Sequence, residues 1–263
     1  MAATAAPGHA VLRVEQLTKA FGATAVIGGL SFEAREGEFL CVVGPSGCGK
    51  TTLLMTLAGL VSRDKGSVTF AGQPVDAPPA GMAVVFQDYS RSLMPWLTNL
   101  DNVRFGMRRL AGMNKARQAE QAHETLGVVG LKGFERHFPW QVSGGMQQRV
   151  AIARALASQA RLLMLDEPLA AVDAQTRSDL QDLLLDIARR FGRTCLMVTH
   201  DVDEAVYMAD RVVVLSQRPT RVVREIAVDL PHPRDQIATK ALPQFLAVRA
   251  EVLGLIRSMP KPM

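Results

Sequence analysis

The chain has 263 residues, 48% of them apolar and 21% charged, with a net charge of +5. That balance excludes a disordered or fibrous chain and gives length for one large domain, or one domain with an inserted subdomain. Apolar runs such as VVVL at residues 212–215 are too short to span a bilayer, and Cys41, Cys48 and Cys195 lack metal-ligand or redox spacing, so a reducing cytoplasm is the expected compartment.

The opening MAATAAPGHA, residues 1–10, lacks the basic and apolar regions of a signal peptide and is expected to be a disordered tail. Residues 11–43 read as short strands: AVLRVEQLTKAF alternates in part, and GEFLCVVG is an apolar, β-branched run ending in glycine. Helical spacing follows from Lys50, with Leu53, Leu54, Leu57 and Leu60 on one face. GSVTFAGQPV predicts a hairpin, with Val68 and Phe70 before a turn at residues 71–74 and Val75 after it. MAVVFQ reads as a buried strand.

From about 88 to 160 the texture turns to helices and loops, including the amphipathic NKARQAEQAHETLGVVGL, which ends at glycine. RLLMLDEP, TCLMVTH and RVVVLSQ then read as strands separated by helices, one of which starts at Asp173 and carries Leu180, Leu183, Leu184 and Ile187. Strands alternating with helices imply an α/β fold with a mostly parallel sheet. The segment 230–263 is proline-rich and then helical, with Phe245, Val248, Val252 and Ile256 at helical spacing.

The clearest motif is GPSGCGKTT, Gly44 to Thr52, between the strand FLCVV and the helix TTLLMTLAGL. Gly44, Gly49, Lys50 and Thr51 stand in P-loop register. In such a loop Gly44, Pro45, Ser46, Gly47, Cys48, Gly49, Lys50, Thr51 and Thr52 surround phosphate, with backbone N–H groups from all but Pro45 to offer, and the following helix adds its positive end. Lys50 can bridge the outer phosphates, and the Thr51 hydroxyl can join a Mg²⁺ shell.

The strand LLMLDEP ends in two acids, which suits Asp166 to orient Mg²⁺ and its waters and Glu167 to polarise an attacking water. Alone, Asp-Glu-Pro also reads as a strand-to-turn boundary. His200 ends the strand CLMVTH, where it either meets a γ-phosphate or closes the strand structurally. Gln87, after MAVVF, can reach Mg²⁺ or water through its carbonyl, or be a surface glutamine. SGGMQQR, from Ser143, places Gly144 and Gly145 at a helix start, an arrangement suited to close approach by a ligand.

These motifs, in order from Phe21 to about His200, resemble the ATP-binding subunits of ABC transporters: GPSGCGKTT, the Gln87 loop, SGGMQQR, LLMLDEP, LAAVD and THDVDEA. The resemblance implies a P-loop core with an N-terminal antiparallel β portion and an inserted helical subdomain. Its extents would be an ATPase domain at 11–229, helical from about 88 to 160, and a C-terminal helical tail at 230–263. ATP and Mg²⁺ are the implied cofactors, with Thr51, Gln87 and Asp166 at the metal and Glu167 and His200 catalytic. Phe21 would stack on adenine, although a core phenylalanine is the other reading of it. Two copies would face head to tail, so that Ser143, Gly144, Gly145 and Met146 of one close on the ATP of the other, with Asp173 at the interface.

The implied partners are a second copy, integral membrane permease subunits contacted by the helical block, and indirectly a solute-binding protein. The location would be peripheral, on the cytoplasmic face of the inner membrane. Val142 and Met146 depart from the commoner leucine and glutamine of the signature. The methionine form, with MPWLTNLDNV and LPHPRD, resembles the nitrate, sulfonate and taurine importer group. A soluble ATPase of this type acting on nucleic acid is the alternative that the positive charge allows. The block at 88–160 lacks the sustained heptads of a coiled-coil insertion, which sets nucleic acid behind a transport partner.

Overall fold

The computed structural model describes residues 8–88, 92–170 and 172–259. In chain order the described strands are β1 (Ala10–Phe21), β2 (Thr24–Arg35), β3 (Phe39–Val43), β4 (Lys65–Phe70), β5 (Gln73–Pro74), β6 (Met82–Val85), β7 (Leu162–Asp166), β8 (Thr194–Thr199), β9 (Arg211–Leu215) and β10 (Val222–Ala227). The described helices are α1 (Lys50–Leu57), α2 (Asn99–Gly106), α3 (Lys115–Val128), α4 (Gly144–Ala157), α5 (Ala174–Arg190), α6 (Val202–Met208) and α7 (Pro243–Ser258). They fall into two compact units, one from the described parts of Met1–Pro79 and Leu185–Met263, the other from Ala80–Leu184. The tail expected over 1–10 lies outside the described residues up to residue 7, and Ala10 already opens β1.

In the first unit, β1 and β2 are antiparallel strands of 12 residues each, longer than the short strands expected. The partial alternation of β1 has a local cause. Leu12 and Val14 are buried, then Leu17 and Lys19, because the register shifts between Val14 and Leu17 and Gln16 takes a φ of 47°. One extra residue flips the two-residue period, and the strand continues on the other phase.

The sheet continues through β4 and β5, joined by a turn tighter than the four residues expected. Ala71 and Gly72 both have positive φ, 49° and 78°, as a two-residue hairpin turn requires, so Pro74 lies within β5. Helix α1 likewise stops at Leu57. Gly59 leaves it at φ 70° with its α-carbon against the Ala77 backbone, and Leu60 is turned out, exposed rather than on the helix's buried face.

Strand β3 is buried at every position and lies between the parallel strands β8 and β9, with β10 antiparallel beyond β9. Unbroken apolar runs without alternation suit strands covered on both faces. Arg211 pins β9 in place: it donates to both oxygens of Glu38 at 2.8 and 2.9 Å, to the Glu33 carbonyl at 2.7 Å, and to Glu225. In α7, Phe245 and Val252 are buried while Val248 and Ile256 are half-buried.

In the second unit β6 and β7 form a parallel pair, Val85 opposite Leu165. The helices start at side-chain caps: Thr98 accepts from Asp101 N, Asn114 from Arg117 N and Ser143 from Met146 N. Gly127 lies inside α3, and the chain departs at Gly130, with φ 75°. Helices α2 and α4 cross so closely that a Cβ on Gly106 would stand 2.3 Å from the Arg154 carbonyl oxygen. Arg154 in turn donates to the carbonyl and hydroxyl of Ser92 at 2.6 and 3.0 Å.

Candidate functional site

In the first unit the loop from Gly44 to Gly49 joins the end of β3 to α1. Gly47 and Gly49 have φ of 75° and 111°, the left-handed region that glycine enters without a Cβ penalty. Gly49 is the N-cap of α1 and makes no side-chain cap, and the helix turns its positive end toward the loop. Lys50 is buried and donates to the carbonyls of Gly44 and Pro45 at 3.0 and 3.2 Å, which holds the ammonium over the loop. Gly44 itself is walled in: a Cβ there would stand 3.0 Å from Leu215 Cβ and 3.1 Å from Cys48 Sγ. Cys48 is fully buried, and burial pushes its thiol pKa up. Ser46, Gly47 and Thr51 are exposed around the loop, with Pro45 and Thr52 half-buried.

The same unit holds Phe21 and His200. Phe21 ends β1 opposite Thr24 and is 52% exposed, which removes the core reading. The Lys19 ammonium sits 5.2 Å from its ring centre and is paired with Asp64. His200 follows β8 and is exposed. Its turn is fixed on both sides: Asp201 N donates to Thr199 Oγ1, which donates to Glu204, and Asp201 caps α6.

In the second unit Asp166 ends β7 and is buried, while Glu167 next to it is half-buried and holds a φ of 42°. A non-glycine residue in that region costs of order 1–3 kcal/mol, and such strain gathers at functional sites. Gln87 is exposed just after β6, so Gln87 and Glu167 leave the carboxyl ends of two adjacent parallel strands. Among the described residues there is no cluster of three or more His, Cys, Asp or Glu placed for a resident metal. The Asp166 carboxylate here, and the Thr51 hydroxyl in the first unit, are each hard oxygen donors of the kind that suits Mg²⁺.

Also in this unit, Ser143 is exposed and its Oγ accepts from Met146 N at 3.3 Å, so the hydroxyl proton is free of that cap and available to an incoming anion. Met146 thus supplies the capping N–H whatever its side chain. Asp173 accepts from Thr176 N and Oγ1 at 3.0 and 2.6 Å, and the Thr176 hydroxyl chiefly holds its pKa below the usual carboxylate range. Of the LAAVD segment, Ala171 lies outside the described residues.

Two features escaped the sequence reading. A cavity of about 530 Å³ is lined by Met82 and Val84 of β6, Phe105, Arg108, Arg109 and Arg154. The Arg108 guanidinium lies 4.7 Å from the Phe105 ring centre. An aromatic three residues before a pair of arginines was the available signal. The second is Thr220, whose hydroxyl donates to the Cys48 carbonyl from 172 residues away, with nothing local to announce it.

The model of the ABC transporter family matches residues 27–170. The chain is 47% identical over 250 residues to an uncharacterized ABC transporter ATP-binding protein, MJ0412, of Methanocaldococcus jannaschii, covering 94% of this chain and 91% of the relative. It is 42% identical over 250 residues to the taurine import ATP-binding protein TauB of Escherichia coli K12, covering 94% and 97%. Among solved structures it is similar to the dimeric ATP-binding cassette MJ0796 in a post-hydrolysis state bound to ADP and Pi, at TM-score 0.73 and 30% identity over 82% of this chain and 98% of that one. A second similar structure is cbiO1 of Clostridium perfringens, part of the complex cbiONQ, at TM-score 0.74 and 26% identity over 82% and 88%.

Proposed function

This chain belongs to the ABC transporter family as an ATP-hydrolysing subunit, and we propose that it powers an importer for a small anionic solute such as taurine, another sulfonate or nitrate. The observation that carries the importer reading is the 42% identity to a taurine import subunit across 97% of that protein's length. The nucleic-acid alternative finds no support in these relatives.

Gly44 to Thr52 binds the phosphates of ATP, with Lys50 exchanging its two loop carbonyls for phosphate oxygens. Phe21 offers an open aromatic face to adenine. Thr51, Asp166 and Gln87 are the residues that would hold Mg²⁺, which would neutralise charge on the outer phosphates. Glu167 accepts a proton from the attacking water, and His200 holds the γ-phosphate side of that water's path. The Ser143 hydroxyl donates to the nucleotide of a second copy, and Gly144, Gly145 and the start of α4 bring backbone N–H groups to the same anion. ATP thereby joins two copies, and its cleavage releases them, which shifts the partner between two states.

The permease docks on the helical block at 88–160, into the cavity beside Phe105, Arg108 and Arg109. An exposed aromatic ring flanked by guanidinium groups suits a short helix of the membrane protein with an apolar face and an acidic end. The chain sits on the cytoplasmic face of the membrane, and a solute-binding protein supplies the cargo from the other side.

The test is uptake in cells carrying the chain with its neighbouring permease and binding-protein genes. Taurine, an alkanesulfonate or nitrate should accumulate only with the intact chain, and a Lys50→Ala variant should abolish it. Failure of all three to depend on the chain overturns the solute class. Absence of ATP hydrolysis by the purified protein overturns the catalytic assignment.

A further inference from the structure

The loop between β9 and β10 reaches back to the phosphate cradle. Thr220 is 1% exposed and donates its hydroxyl to the Cys48 carbonyl. Its own backbone is clamped on β2: Thr220 N donates to Val26 O at 2.8 Å, and Gly28 N donates to Thr220 O at 2.9 Å. The loop is closed below it, with Ser216 N donating to Arg221 O at 2.9 Å and Arg221 N to Ser216 Oγ at 3.0 Å. The hydroxyl is therefore presented from a fixed support, and it meets the P-loop directly behind Gly49. A Cβ on Gly49 would stand 2.6 Å from Val26 Cγ1 and 3.8 Å from Thr220 Oγ1.

The peptide between Cys48 and Gly49 is a rigid plane, and in a trans peptide the carbonyl and the N–H point in opposite directions. Holding the Cys48 carbonyl toward Thr220 forces the Gly49 N–H toward the other side, the inside of the cradle. A backbone at φ 111° does not hold this orientation by local preference, because glycine is free there. From this geometry we infer that Thr220 is a positioning residue for phosphate binding: its hydroxyl fixes the Cys48–Gly49 peptide so that the Gly49 N–H is preorganised for the outer phosphates. The inference rests on the ATP-binding reading of the P-loop and names a residue that acts without touching nucleotide.

Thr220→Val keeps the shape and removes the donor, and Thr220→Ser keeps the donor. Competition against a fluorescent ATP analogue gives affinities for ATP, ADP and AMP. In the valine variant ATP and ADP should weaken about five- to tenfold, the value of one lost orienting hydrogen bond, with AMP changed less than about twofold. The serine variant should restore ATP and ADP binding to within about twofold. Equal weakening of all three nucleotides would mark a merely structural role and overturn the inference, as would unchanged ATP binding. A wild-type chain that binds no ATP sinks the underlying reading instead. If the valine variant does not fold, the wild-type protein decides with glycine-labelled NMR. The Gly49 amide should be among the resonances most shifted by inorganic pyrophosphate, and an unmoved Gly49 amide overturns the proposal.

Discussion

Gly145 lies against Thr176, so close that a Cβ on the glycine would stand 2.6 Å from the threonine Cγ2. Thr176 is also the residue whose N–H and hydroxyl hold Asp173. The start of α4 and the start of α5 are thus packed on one another through a glycine and a methyl group. The glycine has two reasons to lack a side chain. One is the approach of a ligand, proposed from the sequence, and the other is this contact within its own unit.

The contact predicts a specific pair of variants. Gly145→Ala should lower stability by about 1–3 kcal/mol, the usual cost of overpacking a filled site. Thr176→Ser deletes the methyl group that would clash and keeps the hydroxyl that serves Asp173. The double variant Gly145→Ala/Thr176→Ser should therefore recover most of the loss, giving a coupling visible in urea melts of the four proteins. Additive losses would mean that the alanine is resisted elsewhere.

Asp173 makes the same corner sensitive to acid. Its pKa is depressed in the folded chain, first by the Thr176 hydroxyl and then by the Thr176 N–H. A depressed carboxylate contributes stability that is present above its unfolded value of about 3.9 and lost as pH falls through the lower folded value. Asp173→Asn still caps the helix but does not titrate. Its stability should fall less than that of the wild type between about pH 5 and pH 2, when both are followed by thermal melting.

For Glu167, the glutamine variant separates binding from chemistry. Glu167→Gln keeps size and hydrogen-bonding reach but accepts no proton from water. Phosphate release should fall by at least about 10²-fold, with ATP affinity held and an ATP-bound pair of copies accumulating on a sizing column. Turnover at the wild-type rate would remove Glu167 from the role of base.

The P-loop was legible because its signal is contiguous: glycines, lysine and threonine sit between a strand and a helix within a few residues. The parallel α/β pattern was legible for the same reason, as apolar runs carry their own period. What escaped depends on backbone conformations or distant partners. The bulge at Gln16 hid a 12-residue strand inside an imperfect alternation. Ala71 entered positive φ where the sequence shows no asparagine or glycine, so the hairpin turn read two residues too long. Leu60 fits a helical period that Gly59 cuts off. Thr220 and Cys48, or Gly145 and Thr176, become neighbours only once the chain has folded, and no local pattern encodes that.

Ser143 caps α4 and, in the proposed function, also meets a second copy's nucleotide, so these roles must be pulled apart. Aspartate is as good an N-cap as serine. Ser143→Asp should therefore melt within about 0.5 kcal/mol of the wild type, yet it sets a carboxylate where a phosphate must arrive. ATP binding by the single copy should be unchanged, and ATP-driven pairing, read by light scattering in the Glu167→Gln background, should be lost. Pairing that survives would count against the composite site.

The cavity beside Phe105 separates transport from hydrolysis. Phe105 is 36% exposed, and neither it nor Arg108 belongs to the nucleotide machinery proposed above. Phe105→Ala removes the apolar anchor, and Arg108→Glu reverses the charge offered to an acidic helix end, an effect that grows with desolvation at the contact. Both variants should hydrolyse ATP at the wild-type rate as purified chains. In cells they should lose most uptake, and in detergent they should no longer co-purify with the permease. Restoration by an acidic-to-basic change in the permease helix, for Arg108→Glu alone, would fix the polarity of the contact. Unimpaired uptake in both variants would place the membrane partner on another face.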